Sequence, residues 1–227
     1  MTKVTILLIF ASQTLLMSSD ADRARVVKRI RDSAQVLEDN SKDSNDMPDR
    51  VIEKAAGVII VPRLKRAGFV AGAEFGKGVF VARTEDGGWT APCMIRIEGG
   101  GVGFLAGVGE TDLVLIAMND EAVKQLMQLG VKIGADVMLA AGPVGRNSEA
   151  DTTPIPASGL LSYSHARGVY AGVAVGGTTL RSDDDDNTLL YGNRVDESEI
   201  LSGKVEPTAD AEPLLSVLRR YPRRAKP

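Results

Sequence analysis

The sequence predicts an α+β fold in which helices flank a curved, glycine-rich β-sheet. Three observations support this prediction. Apolar residues recur at helical spacing near both ends of the chain and once in its middle. Short β-rich runs bounded by turn residues follow one another from Gly57 onwards. Within several of these runs glycine returns at every fourth residue, which indicates close approach of another element or strong curvature.

The first 21 residues have the order of a secretory signal peptide. Lys3 precedes an apolar stretch from Val4 to Met17, and small residues follow, with Ala21 at a suitable cleavage point. The stretch is too short, and too interrupted by polar residues, to form a stable membrane span. We therefore expect residues 1–21 to direct export to a periplasm or to the outside of the cell. The alternative is an uncleaved amphipathic helix that lies on a membrane or packs on the domain.

A helix is predicted over residues 20–40, with Val26, Ile30, Ala34 and Leu37 facing the core. Basic residues surround this apolar stripe: Arg23, Arg25, Lys28, Arg29 and Arg31. Two interpretations stay open, a solvated helix face and a patch that contacts phosphate groups. A polar loop at 40–46 then leads to a short helix that begins near Pro48 and stops at Gly57.

From Gly57 the pattern changes to strands. The predicted strands cover 57–62, 67–76, 78–83, two runs after an Asp-Gly-Gly turn at 84–89, then 112–119, 131–142, 158–166 and 168–177. A helix is expected over 120–129, with Asn119 or Asp120 as its N-cap. The last amphipathic helix carries Leu214, Leu215, Val217 and Leu218.

Glycine placement is the strongest regularity. The four-residue interval occurs at Gly68, Gly72 and Gly76, at Gly103 and Gly107, and at Gly168, Gly172 and Gly176. Residues four apart in a strand point to the same face, so each run carries a stripe without side chains. Dinucleotide binding does not explain the glycines, because none of these runs leads into a helix within a βαβ unit.

Composition gives little support to catalysis. The net charge of −3 gives no global argument for nucleic acid. The single cysteine, Cys93, excludes an intrachain disulfide and a CxxC zinc site, and the single histidine, His165, excludes a histidine-cluster metal site. We read these two residues as a buried thiol and a strand-end imidazole rather than a nucleophilic pair. We expect no cofactor, no metal and no enzymatic activity.

Four consecutive aspartates, residues 183–186, require a separate test. As a calcium loop beginning at Asp183, the run should have glycine at its sixth position and glutamate at its twelfth. The sequence has Thr188 and Arg194 there. Because four adjacent carboxylates also repel one another, we predict a solvated turn.

Five runs, in this order, closely resemble the SYLF domain: GVIIVPRLKRAGFVAGAEFGKGVFVAR, WTAPCMIRIEGGGVGFLAGVGETDLVLIAMN, IGADVMLAAGPVGR, YSHARGVYAGVAVGG and NTLLYG. The resemblance implies one domain over 22–220, similar to bacterial secreted members, with a helical part (22–56), a β-rich core (57–192) and a C-terminal helical part (193–220), before a basic tail (221–227). It implies an α+β fold with a mostly antiparallel, barrel-like sheet. It also implies phospholipid binding, with phosphoinositides as ligands of eukaryotic members, and no known catalysis.

A headgroup site would use basic residues from three places. The candidates are Arg25, Lys28, Arg29 and Arg31 on the first helix, Arg63, Lys65 and Arg66 in a predicted turn at 62–68, and Arg146 in the GPVGR turn at 142–146. The expected partner is a phospholipid or membrane surface and not nucleic acid. Because an exported chain would not meet actin, we do not expect actin as a partner. The alternative is a structural or protein-interaction module, actin-type or self-associating, that uses the glycine-striped sheet.

Overall fold

A computed structural model describes residues 2–40, 47–68, 71–102, 106–128, 130–133, 140–141, 159–167, 170–171 and 178–222. The helices are α1 (Thr2–Asn40), α2 (Asp49–Lys54), α3 (Asp120–Leu126), α4 (Asp184–Tyr191), α5 (Glu197–Leu201) and α6 (Glu212–Leu218), with a 3₁₀ turn at Ala209–Ala211. The strands are β1 (Gly57–Gly68), β2 (Ala71–Ala82), β3 (Cys93–Val102), β4 (Ala106–Ala117), β5 (Val131–Ile133), β6 (Ala140–Ala141), β7 (Leu160–Arg167), β8 (Tyr170–Ala171) and β9 (Thr178–Ser182).

The strands form one curved sheet in the order β5-β9-β3-β2-β1-β4-β7-β6, and β8 pairs with β4. Every pairing is antiparallel except that of β6 with β7. The predicted α+β class, with a mostly antiparallel curved sheet and helices at both ends and in the centre, is confirmed.

Hydrophobic residues cover both faces of the sheet. On the first face, here called the α1 face, Val26, Ile30 and Leu37 of α1 and Leu214 of α6 are buried, and Ile60 of β1 lies in the same cluster. The opposite face, here called the α3 face, is covered by α3 and α5. It carries Ile59, Val61, Leu64 and Phe80, packed with Val123 of α3. The predicted core stripe of the first long helix is therefore confirmed.

The two capped helix ends follow from local sequence. The Asn119 side chain accepts a hydrogen bond from the Ala122 N–H at 2.8 Å, which satisfies one of the free donors at the start of α3. At the end of α4, Gly192 takes a left-handed conformation with φ of 77°, which a glycine adopts without steric cost. Asn119 is thus the N-cap that the sequence proposes.

The basic segment 62–68 is not a turn, and that prediction is wrong. The segment continues β1, and an extra residue bulges out of the strand. Val61 pairs with Leu113, whereas Leu64 pairs with Thr111, so three steps on β1 match two on β4. The same slip occurs against β2, between Ile60 and Lys65. Arg63 lies in the bulge with a positive φ of 53°.

The bulge explains two of the glycines. Opposite it on β2, a Cβ on Gly76 would meet Val61 Cγ1 at 2.6 Å, and one on Gly78 would meet the Ile60 carbonyl oxygen at 2.2 Å. Neither position therefore has room for a larger residue. Here the closely approaching element is the neighbouring strand. Gly103, Gly168, Gly172 and Gly176 lie outside the described residues, so their stripe stays a prediction.

The acidic run is not a solvated turn either, and that prediction is wrong. Asp183 is the N-cap of α4, and its side chain accepts from the Asp186 N–H. Asp183 is 1% exposed and Asp186 is 7% exposed, while Asp184 and Asp185 face solvent. The helix turns two of the four carboxylates inwards because residues three apart lie on the same side.

Helix α1 begins inside the predicted signal peptide and continues through the core helix. Among the described residues, no helix is both long enough and apolar enough to cross a membrane. The cleavage near Ala21 stays a prediction, which the intact mass of the mature protein would check.

Candidate functional site

A groove of about 410 Å³ lies on the α1 face, between α1 and the part of β1 and β2 beside the bulge. Six cationic side chains line it, against two carboxylates. The cations are Arg25, Lys28, Arg29, Arg63, Lys65 and Lys77, and the carboxylates are Asp32 and Glu110. Pro62, Phe75 and Gly76 complete the lining. Positive side chains therefore outnumber negative ones in this lining, although Arg25 also pairs with Asp22, and carboxylates outside the lining hold Arg29 and Lys77.

The β1 bulge brings Arg63 into the groove. The Arg63 backbone N–H donates to Asp112 Oδ1 at 2.8 Å, which helps to hold the left-handed conformation. The Arg63 guanidinium donates to Asp32 of α1. Lys28, one helical turn before Asp32, donates to the same carboxylate at 2.7 Å. One carboxylate of the chain thus bridges two cations across the groove.

The floor of the groove is a nearly buried ion network. Arg29 contacts Asp186 Oδ2 at 2.5 Å, and Lys77 Nζ contacts Asp183 Oδ2 at 2.6 Å and Asp186 Oδ2 at 3.0 Å. Burial is the largest effect on the pKa of Lys77 and lowers it, but the two carboxylates together raise this pKa above its ordinary value. Burial likewise raises the pKa of Asp186, and the hydrogen bonds from Arg29 and Lys77 outweigh it, so this pKa lies below its ordinary value. The contacts of this network fix α1 to β2 and α4.

Five of the eight predicted site residues meet in the groove: Arg25, Lys28, Arg29, Arg63 and Lys65. Arg31 is exposed on α1 and does not line it. Arg66 alternates with Lys65 along the strand, so it points to the other face, where it pairs with Glu74 at 3.0 Å. Arg146 lies outside the described residues.

Sequence reasoning missed Lys77. Its only local signal is a charged residue that stands between two glycines, Gly76 and Gly78. The carboxylates that hold it, Asp183 and Asp186, are more than 100 residues away in the chain, which no local pattern could reveal.

The sequence is similar to a known protein family. A family model described as "Ysc84: Las17-binding protein actin regulator" matches residues 98–221. This chain belongs to the Ysc84 family. The resemblance to the SYLF domain, drawn from the five sequence runs, is thereby confirmed.

Relatives of this Ysc84-family chain are similar over most of its length. Protein YSC84 of Saccharomyces cerevisiae is 38% identical over 175 residues, which are 76% of this chain and 37% of that protein. LAS seventeen-binding protein 3 of the same yeast is 36% identical over 175 residues, 76% of this chain and 38% of that protein. Human SH3 domain-containing YSC84-like protein 1 is 34% identical over 206 residues, 90% of this chain and 59% of that protein. The chain thus spans only part of each of these relatives.

The expectation that actin is not a partner is wrong for this family. It rests on export alone, whereas the matching family is described as an actin regulator and a yeast relative is named for binding Las17. The family description and the name of that relative refer to protein partners.

The structure of this Ysc84-family chain also bears on thiol chemistry and on metal binding. Cys93 is fully buried, and burial, the largest effect, raises the pKa of its thiol well above the ordinary value. A thiol that resists deprotonation is a poor nucleophile. Over the described stretches of the chain, no three His, Cys, Asp or Glu side chains group as metal ligands would.

Proposed function

We propose that this chain is a non-enzymatic binding module whose partner is a protein of the actin-regulatory system. The supporting observation is the family match across residues 98–221, with its description as a Las17-binding actin regulator. The cationic groove supplies a contact surface for an acidic partner, because complementary charge speeds and orients association. This is the protein-interaction alternative that the sequence predicts, with the groove in place of the glycine-striped sheet as the contact surface.

Cosedimentation with actin filaments and capture on immobilised Las17 test the proposal. Lys65 is exposed in the groove, and Arg31 is exposed on α1 outside it. Lys65→Glu and Arg31→Glu therefore change the charge equally at two positions that differ in their relation to the groove. We expect Lys65→Glu to weaken binding about tenfold and Arg31→Glu to leave it nearly unchanged. Absence of binding to both actin and Las17 by the unaltered chain would overturn the proposal.

A second candidate is an anionic lipid surface, and the same groove favours it. Each basic residue near an anionic surface contributes roughly 1 kcal/mol, within a Debye length of about 8 Å at physiological salt. Arg25, Lys28, Arg63 and Lys65 are the exposed basic residues of the groove. Sedimentation with phosphatidylserine-containing and neutral vesicles at two salt concentrations tests it. Equal pelleting with both vesicle types would exclude recognition of the negative charge of the lipid surface.

A further inference from the structure

At the end of the α1 face beyond the groove, the described part of the chain has exposed side chains. Lys65 pairs with Phe75, and Ala67 pairs with Ala73 and with Val108. Directly paired residues point to the same face, and so do residues two apart on one strand. Ala67, Ala73, Phe75 and Val108 therefore form one surface, here called the sheet-end patch, with Lys65 beside it.

This patch exposes large apolar side chains. Phe75 is 48% exposed and Val108 is 75% exposed. They are the exposed large hydrophobic residues in the part of the chain that the structure describes. Phe75 also lines the cationic groove, so apolar and positive surface meet along one rim. An exposed aromatic residue beside a charged recess marks a binding surface more often than an isolated exposed leucine does.

The groove already contains a carboxylate of the chain itself. The Asp32 carboxylate already lies in it and bonds both Lys28 and Arg63. A carboxylate on a short side chain therefore has the size and geometry for the recess. A peptide segment can present such a carboxylate together with an apolar side chain for Phe75, which lies in the same lining.

We propose that the groove and the sheet-end patch together bind an acidic peptide segment that carries an apolar anchor residue. The carboxylates of the segment meet Lys65, Lys28 and Arg25 in the groove, and its anchor packs on Phe75 and Val108. This proposal rests on the proposed protein-binding function and names the chemistry of the partner segment. Charge complementarity and the position of Asp32 carry it.

Fluorescence anisotropy with two labelled peptides tests the proposal. Both contain six glutamates of equal spacing, and their central residue is leucine in one and serine in the other. We expect the leucine peptide to bind the full chain about fivefold more tightly, since partial burial of Phe75 contributes roughly 1 kcal/mol. Phe75→Ala should remove this preference and leave the serine peptide unaffected. Lys65→Ala should weaken both peptides alike, and Arg31→Ala should weaken neither.

Three outcomes would overturn the inference. They are equal binding of both peptides, an unchanged preference in Phe75→Ala, and binding to phosphatidylserine vesicles without binding to either peptide. The last outcome would assign the surface to a membrane. Because the actin and Las17 assays use different partners, binding there without peptide binding would overturn only this inference, and peptide binding without it would overturn only the proposed function.

Discussion

Replacement of Arg29 by alanine distinguishes a structural cation from a ligand-binding one. The Arg29 and Asp186 side chains are 16% and 10% exposed, so both charges are largely removed from water. Removing one partner of a buried ion pair costs about 3–5 kcal/mol, because the other charge is left uncompensated. Lys77 still contacts Asp186 at 3.0 Å, so we expect a smaller loss. We estimate about 2–3 kcal/mol, which for a chain of this length lowers Tm by about 5–10 °C.

Thermal unfolding followed by circular dichroism measures this shift. Arg31→Ala is the matched control on the same helix, because Arg31 is exposed, and we expect its Tm to change by less than about 2 °C. A double-mutant cycle with Asp186→Ala should show that the two single losses are not additive. If the Arg29→Ala and Arg31→Ala variants have the same Tm, the ion network does not hold α1 in place. Arg29 is then a ligand-binding cation rather than a structural one.

Three other substitutions test the fold around the site. Gly78→Ala should lower the free energy of unfolding, measured in urea, by more than about 2 kcal/mol, because the added Cβ would lie 2.2 Å from the Ile60 carbonyl oxygen. An unchanged urea midpoint would contradict the close contact between the strands. Asn187→Leu should lower the free energy of unfolding by about 1–3 kcal/mol in the same assay. The fully buried Asn187 side chain accepts a hydrogen bond from the Met94 N–H at 2.7 Å and donates one to the Met94 carbonyl at 3.1 Å. Wild-type stability of this variant would show that the Met94 groups find other partners. Burial raises the pKa of Glu197 from 4.5 to about 7, so its carboxyl gives stability below pH 4.5 that is lost as pH rises through 7. Glu197→Gln should flatten the change in Tm between pH 5 and about 8, and an unaltered pH profile would refute the raised pKa.

Local periodicity was sufficient for much of the fold. Val26, Ile30 and Leu37 are buried as their spacing predicts, and Asn119 caps α3 because cap chemistry is set within three residues. Short strands, turns and glycines predicted a curved, strand-rich core, and the resemblance to the SYLF domain implied its mostly antiparallel sheet. Each of these signals acts over a few residues, which is why a single sequence carries it.

The candidate site was only partly predictable because its geometry depends on distant residues. Sequence reasoning treats Lys28 and Arg29 as equal members of one basic face, yet Arg29 is taken up by Asp186, 157 residues away. The segment around Arg63 has the proline and charges of a turn, and only pairing with β4 shows it to be a bulge. Likewise, four identical aspartates contain no information about which two a helix will turn inwards.

The bulge in β1 shifts by one residue the alternation of side chains between the two faces of the sheet. Val61 before the bulge and Leu64 after it both point to the α3 face, although they are three positions apart in the sequence. If the same residues ran on as a regular ladder without the bulge, every residue downstream would change to the other face of the sheet. Leu64 would then enter the groove, and Lys65 would enter the hydrophobic core. The positive charge of this end of the groove therefore depends on the bulge as much as on the residues themselves, because the same residues in an unbulged strand would present a different surface.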